Sequence, residues 1–214
     1  NIVNQTYAIF VRSPHARAKI KKIDTSKALK SSGVVDILTG EHLAKDKIGG
    51  LIAGWAIRSE DGSEMKCPAN PPLAKDNVNF VGDPIAVVLA ESLDEAKEAA
   101  DLVKIDYKVL EAVTNLQKTM ESEAIHDGID KNLCYDWLLG DRQKVKEAFD
   151  KADKIIKLDI TNNRLIPNAM EPRACVIDYN TASEEITCYT TSQNPHLSRL
   201  IMSAFGGVAP ENKL

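Results

Sequence analysis

The chain has 214 residues, and its 27 Lys and Arg against 31 Asp and Glu leave a formal charge of −4. With no basic block longer than Lys21-Lys22, this balance argues against a nucleic-acid-binding protein. Hydrophobic residues make up 43% and charged residues 27%, which is typical of a folded globular chain, and the longest apolar runs are far shorter than the ~20 residues of a transmembrane helix.

Strand and helix patterns alternate from the first residues onward. Strands are predicted over residues 7–11, 16–23 and 34–38. Between the second and third strands, Thr25 or Ser26 is expected to cap a short helix that stops before Gly33. Residues 45–77 are rich in Gly, Pro, Lys and Asp without a clear period, which predicts a long excursion with little regular structure.

The clearest local signal lies in residues 81–109. The apolar run 85–90 predicts a buried strand, and Ser92 with Glu95 three residues later forms the capping-box pattern of a helix start. Small apolar residues then recur on one helix face, at Ala96, Ala99, Ala100 and Val103. A returning strand completes this unit, so we expect a compact α+β domain over residues 1–113.

A different composition begins after this domain. Residues 114–140 are polar and lack periodicity, which predicts a linker. Asp141 is then expected to cap a helix that has an apolar stripe at Val145, Ala148, Phe149 and Ala152. We therefore expect a second unit over residues 141–214.

Three strands and a final helix are predicted in this second unit. The strands cover residues 154–161, 174–179 and 186–191. In the final helix, Asn194 is the expected cap, Pro195 the first residue and Gly206 the stop.

The chain contains few residues in a catalytic or metal-binding pattern. The four cysteines form no C-x-x-C pair, which argues against a zinc or iron–sulfur site and indicates a reduced, cytoplasmic protein (Cys67, Cys134, Cys175, Cys188). The four histidines are far apart, so we expect local hydrogen bonds or solvent exposure rather than catalysis (His15, His42, His126, His196). The pairs Gly49-Gly50 and Gly206-Gly207 are interpreted as turn or helix-stop signals.

Two short segments carry residues that suit ligand chemistry. In residues 167–173, Glu171 and Arg173 flank a proline, and these residues alone favour a surface ion pair at the start of a strand. In residues 190–196 a strand gives way to a helix N-terminus, a place that suits ligand oxygens, and the neutral amide of Gln193 suits a metal–oxo group. Spacing alone still favours an ordinary polar loop there.

The order of these segments resembles the large subunit of the molybdenum hydroxylases, the family of xanthine dehydrogenase, aldehyde oxidase and aerobic carbon monoxide dehydrogenase. The similar segments, in chain order, are RSPHA at 12–16, GDPIAVV at 82–88, GD at 140–141, MEPRA at 170–174 and SQNPH at 192–196. The YDW segment at 135–137 looks most similar to the carbon monoxide dehydrogenase-like branch, in its second form. The resemblance implies an α+β chain with an a/b hammerhead domain over residues 1–113, a linker over 114–140, and the first part of a molybdopterin-binding domain over 141–214.

The resemblance also implies a reaction and its cofactors. The reaction is hydroxylation of a small-molecule substrate with water as the oxygen source, at molybdenum held by molybdopterin in its cytosine dinucleotide form. Electrons would leave through 2Fe–2S clusters on a small partner subunit to FAD on a medium partner subunit, in a dimer of heterotrimers. Gln193 matches the glutamine whose amide approaches the oxo ligand, so it is the expected cofactor-binding residue, whereas Glu171 and Arg173 are expected to support the strand that presents it.

No residue of this chain is assigned a catalytic role or a place as a metal ligand. The family's later pterin-contacting and catalytic segments do not follow Leu214, so we expect the N-terminal part of a large subunit that is inactive by itself. One alternative is a non-catalytic interaction or assembly module that reuses the hammerhead fold. A weaker alternative is a hydrolase using Ser192 and His196, which lie four residues apart without an acidic partner.

Overall fold

The computed structural model describes residues 2–51, 53–68 and 70–214. The strands are β1 (Tyr7–Arg12), β2 (Ala18–Asp24), β3 (Val34–Thr39), β4 (Asn77–Val78), β5 (Pro84–Ala90), β6 (Lys104–Val109), β7 (Cys175–Asn180) and β8 (Glu185–Thr190). The α-helices are α1 (Gly40–Lys45), α2 (Leu93–Leu102), α3 (Arg142–Asp150) and α4 (Pro195–Leu200). Short 3-10 turns cover Ala28–Lys30, Leu116–Glu121, Asp130–Asn132 and Glu211–Lys213, and a π-helical turn covers Ile201–Phe205.

The strands of the described residues form two three-stranded antiparallel sheets and one hairpin. The first sheet has the order β1-β5-β3, and the second has the order β4-β2-β6. Ala90 of β5 pairs with Tyr7 on one side and with Val34 on the other, which places β5 at the centre of its sheet. The hairpin β7–β8 stands apart in the second half of the chain.

The central strand β5 is buried on both of its faces. Ile85 is fully buried in one cluster, against Ala18 and Val78 of the second sheet. Ala86 and Val88 are buried in a second cluster, which includes Ile37 of β3, Ala28 and Ala99 of α2. The continuous apolar run of β5 is explained by these two contacts, because a strand covered on only one face would alternate apolar and polar residues.

Helix α2 begins as the sequence predicts. The Ser92 hydroxyl oxygen accepts a hydrogen bond from the backbone N–H of Glu95 (3.3 Å), and the same hydroxyl donates to the Glu95 carboxylate (2.7 Å). Ala96 and Ala99 are fully buried, so the stripe of small residues lets the helix pack closely on the sheet. Gly33 adopts φ +70° beneath the Glu95 side chain, where an added Cβ would overlap the carboxylate.

Two local predictions in the first half differ from the structure. The short helix after β2 is a 3-10 turn that begins at Ala28, and the Ser26 hydroxyl donates to Asp24 Oδ1 (2.6 Å) instead of capping it. Helix α1 was not predicted. Its capping box pairs Thr39 with His42, whose Nδ1 accepts from the Thr39 N–H (3.0 Å), and a histidine at this position replaces the usual Glu or Gln.

The second half contains the predicted hairpin and α3, but not the strand predicted over residues 154–161. These residues form irregular backbone, and Ile156, Leu158 and Ile160 are exposed. The alternating pattern is present, but no strand of the described chain pairs with it, so no hydrogen-bonded ladder forms. Within the described residues, none after Ala99 is fully buried.

Candidate functional site

The candidate site is the loop of residues 191–194, between β8 and α4. The Ser192 hydroxyl oxygen accepts a hydrogen bond from the Asn194 N–H (3.2 Å) and pairs with the Ser198 hydroxyl (3.0 Å). Asn194 is the N-cap of α4 by position and Pro195 opens the helix, as predicted. The Asn194 side chain makes no capping bond to the described residues, so Ser192 shapes the loop and this part of the prediction is wrong.

Gln193 lies exposed in this loop. In the part of the chain that the structure describes, its side-chain amide makes no hydrogen bond, so both the N–H donors and the carbonyl oxygen are available to a ligand. A cavity of about 250 Å³ lies between the hairpin and α4, and its lining includes Ser192 and Pro195 but not Gln193.

The register of the hairpin brings the two candidate segments together. Cys175, the first residue of β7, pairs with Thr190, the last residue of β8. The Thr190 hydroxyl donates to the Ala174 carbonyl oxygen (3.4 Å). The segment that ends at Arg173 and the loop that contains Gln193 therefore leave the hairpin at the same end.

Glu171 and Arg173 do not form the surface ion pair that their spacing favours. Both side chains are exposed, and among the ion pairs of the described residues neither takes part. Met170, next to them, is also fully exposed. The pairing of the hairpin strands, and not a contact of these charged side chains, therefore places this segment next to the loop.

The hydroxyl and thiol groups near the loop lack the arrangement of a nucleophile. Ser192 pairs with Ser198, and His196 stands outside this pair, which contradicts the hydrolase alternative. Burial raises the pKa of the Cys188 thiol, and the nearby Cys175 adds to this shift. All four cysteines are free thiols, and the described residues contain no cluster of three or more side chains that could hold a metal ion.

Two glycine pairs bring the residues after the π-helical turn against the first half of the chain. The Gly49 N–H donates to the Gly206 carbonyl oxygen (3.0 Å). An added Cβ on Gly49 would overlap the carbonyl oxygen of Phe205. The pairs Gly49-Gly50 and Gly206-Gly207 are therefore not only the separate turn signals that their sequence predicts, because paired glycines are also a signal of close backbone approach.

Arg17 connects the first domain to the segment that follows it. Its side chain is buried, and its guanidinium donates to the carbonyl oxygens of Glu111 (3.1 Å) and Ala124 (2.9 Å) and to the Glu123 carboxylate (3.3 Å). One buried cation thus fixes both ends of the segment 111–124. No local pattern predicts this role of Arg17, because both backbone acceptors are about a hundred residues away in the chain.

The fold and the order of its parts define a class of protein. Residues 1–111 match the a/b hammerhead domain of aldehyde oxidase and xanthine dehydrogenase, and residues 125–214 match the molybdopterin cofactor-binding domain. This combination is that of the molybdenum-dependent oxidoreductases. Residues 112–124 lie between the two matched domains. Arg17 donates hydrogen bonds to the backbone at both ends of this segment, at Glu111 and Ala124.

Known proteins with this arrangement are similar along nearly the whole chain. The large subunit of nicotine 6-hydroxylase from Paenarthrobacter nicotinovorans is 30% identical over 97% of this chain, and the carbon monoxide dehydrogenase large chain from Afipia carboxidovorans is 31% identical over 96% of it. The crystal structure of quinoline 2-oxidoreductase from Pseudomonas putida 86 superposes on the whole chain with a TM-score of 0.83 at 26% identity.

The chain belongs to the aldehyde oxidase and xanthine dehydrogenase family. The resemblance to this family and the predicted fold class, a hammerhead domain followed by the start of a molybdopterin-binding domain, are confirmed. The chain spans 25% and 26% of the length of the two relatives and 26% of the crystallised quinoline enzyme. Among the described helices, none combines the length and the apolar composition of a membrane span.

Proposed function

We propose that this chain is part of the large, molybdenum-bearing subunit of a carbon monoxide dehydrogenase-like hydroxylase that oxidises a small molecule with oxygen taken from water. The observation that supports this proposal best is the ordered match to a hammerhead domain and a molybdopterin-binding domain in one chain. The relatives are named for nicotine, carbon monoxide and quinoline, so their names favour no single substrate. The proposed domain limits are 1–113, 114–140 and 141–214.

Gln193 is the residue of this chain that would contact the cofactor. Its amide fits the group, because it is exposed at the end of the hairpin and makes no hydrogen bond to the described residues. In this role the amide N–H would donate to an oxo oxygen, and a neutral amide does so without titrating near neutral pH. When bound, molybdenum with molybdopterin, in its proposed cytosine dinucleotide form, supplies the redox chemistry.

The remaining parts of the proposal concern the assembly. A medium subunit with FAD and a small subunit with 2Fe–2S clusters would accept the electrons, in a dimer of heterotrimers. The free thiols support a reducing compartment, and we place the protein in the cytoplasm. Because one exposed amide cannot enclose a cofactor, we propose that the 214-residue chain is inactive by itself.

A glutamine substitution in the complete large subunit, assembled with its partners, tests the role of Gln193. Gln193→Ala is expected to lower kcat about 100-fold, as removal of one donor to a developing charge typically does, while molybdenum content stays near that of the unchanged enzyme. The matched control is Gln117→Ala in the linker, which removes another exposed glutamine and should leave kcat unchanged. An unchanged kcat in Gln193→Ala contradicts the cofactor contact. Stoichiometric molybdenum and turnover in the isolated chain contradict its inactivity.

A further inference from the structure

Asp83 is a buried carboxyl group at the turn before β5. Its side chain is 8% exposed, and its Oδ2 accepts a hydrogen bond from the Asn79 N–H (3.0 Å). Among the described residues, no Lys, Arg or His forms an ion pair with it, and its second oxygen accepts no hydrogen bond. Buried carboxylates in proteins are normally paired with a cation, since an unpaired buried charge is costly.

The turn itself does not need this second oxygen. The Asp83 carbonyl accepts from the Ser13 N–H (2.9 Å), and the Gly82 N–H donates to the Ser13 carbonyl (2.8 Å). Together with the Asn79 bond to Oδ2, these contacts hold the turn against β1. One carboxylate oxygen therefore has no hydrogen-bond partner among the described residues and is reached by solvent.

Asp83 lines a cavity of about 240 Å³ that combines its carboxylate with amide and aromatic side chains. The lining includes Asn77, Asn79, Phe80 and His126. Amide oxygens accept hydrogen bonds from N–H donors, and an aromatic face attracts a positive charge. A bare metal ion is a poorer fit, because the described residues hold no cluster of three or more metal-ligating side chains.

We propose that this cavity binds a guanidinium or alkylammonium group, with the Asp83 carboxylate as the counter-charge. Burial raises the pKa of the Asp83 carboxyl, as expected for a carboxylate without its cation. The group can belong to a small free cation or to a basic side chain of another polypeptide, since both present the same N–H donors. The site is independent of the proposed cofactor contact at Gln193.

The test is an NMR titration of the 214-residue chain with methylguanidinium, and with its uncharged analogue methylurea as the control. Saturable shifts of the backbone amides of residues 77–83 are expected at millimolar methylguanidinium, with methylurea binding at least about tenfold more weakly. Equal binding of the two probes, or no saturable shift with methylguanidinium, overturns the proposal. Tighter binding of N-acetylarginine amide than of methylguanidinium identifies a peptide-borne side chain as the source, and weaker binding identifies a small cation.

Variants of the cavity sharpen this test. Asp83→Asn keeps an oxygen acceptor for the Asn79 N–H but removes the charge, so the fold is retained and methylguanidinium binding falls about tenfold. Asp76→Asn removes one negative charge from an exposed position nearby and should leave binding unchanged. Phe80→Leu keeps an apolar wall and is expected to weaken binding about threefold. If Asp83→Asn and Asp76→Asn weaken binding equally, the effect is general electrostatics and the proposed site is wrong.

Discussion

The first and second halves of the chain bury their apolar residues to very different degrees. In residues 2–113, β5 is covered on one face by a second sheet and on the other by α2, so Ile85 and Val88 are completely buried. In residues 141–214, by contrast, Ile156 is 91% exposed and Ile166 is 84% exposed. The first half thus closes its own core, whereas the second presents apolar side chains that its own described elements do not cover.

A pair of isoleucine substitutions tests this contrast most directly. Ile85→Ala is expected to lower the free energy of unfolding by about 2–5 kcal/mol, because it leaves a cavity in the packed interior. Ile156→Ala is expected to change it by less than about 0.5 kcal/mol, because the side chain is already in solvent. Urea unfolding followed by circular dichroism measures both. Equal losses for the two variants would show that residues 154–161 are packed in solution.

The attachment of the linker to the first half should depend on Arg17. Arg17→Ala removes three hydrogen bonds from a buried guanidinium, so it is expected to cost about 2 kcal/mol and to speed proteolysis within residues 111–124. Arg12→Ala is the matched control, because Arg12 is exposed and donates one hydrogen bond, to the Gly82 carbonyl (2.9 Å). Protease cleavage in the linker at the unchanged rate in Arg17→Ala would contradict a fixing role for this residue.

The contact between Gly49 and Gly206 joins the first half of the chain to the second, and it can be tested by adding a side chain. Gly49→Ala places a Cβ against the Phe205 carbonyl, so it is expected to cost about 1–3 kcal/mol and to increase hydrogen exchange at the amides of residues 205–207. Gly54→Ala is the control, since a Cβ there meets no atom of the described residues within 4 Å. Faster exchange in both variants alike would point to loss of a flexible residue rather than to an interface.

Elements whose signals lie within a few residues were predicted from the sequence, whereas elements that depend on distant residues were not. The strand β5 and the start of α2 were predicted because their signals lie within a few residues: an apolar run, and Ser92 three residues before Glu95. The strand predicted over residues 154–161 was wrong because a strand needs a partner, and periodicity says nothing about whether one is present. Helix α1 was missed because His42 takes the place of the usual acidic capping residue.

The candidate site was predicted in a different way. Spacing alone favoured an ordinary loop around Gln193, and only the resemblance to a family distinguished this amide from other exposed ones. The register that places Cys175 opposite Thr190, and so brings the two candidate segments to one end of the hairpin, depends on pairing between strands. The Gly49 to Gly206 contact joins residues more than 150 positions apart, beyond the reach of any local pattern.

The smallest expected effect concerns the pH dependence of stability. The contributions of Asp83 and Asp24 to the free energy of unfolding should change in opposite directions as the pH rises. Burial raises the pKa of Asp83 above the ordinary value of 3.8, so its contribution to stability is fully present below 3.8 and is lost as the pH rises through the raised pKa. Asp83→Asn should therefore gain stability relative to the unchanged chain between acidic and neutral pH. Hydrogen bonds from Ser26 lower the pKa of the exposed Asp24, so its contribution is present above 3.8 and is lost as the pH falls through the lowered value.

Asp24→Asn should accordingly lose stability relative to the unchanged chain over the same rise in pH, so the two variants diverge. Urea midpoints measured from pH 3 to pH 7 compare them directly. Since the Asp24 side chain is 42% exposed, its trend should be the weaker of the two and should shrink with added salt. If the Asp83→Asn difference is instead flat across this range, the carboxyl already has a cationic or solvent partner in the isolated chain, and the cavity beside it would not require a bound cation.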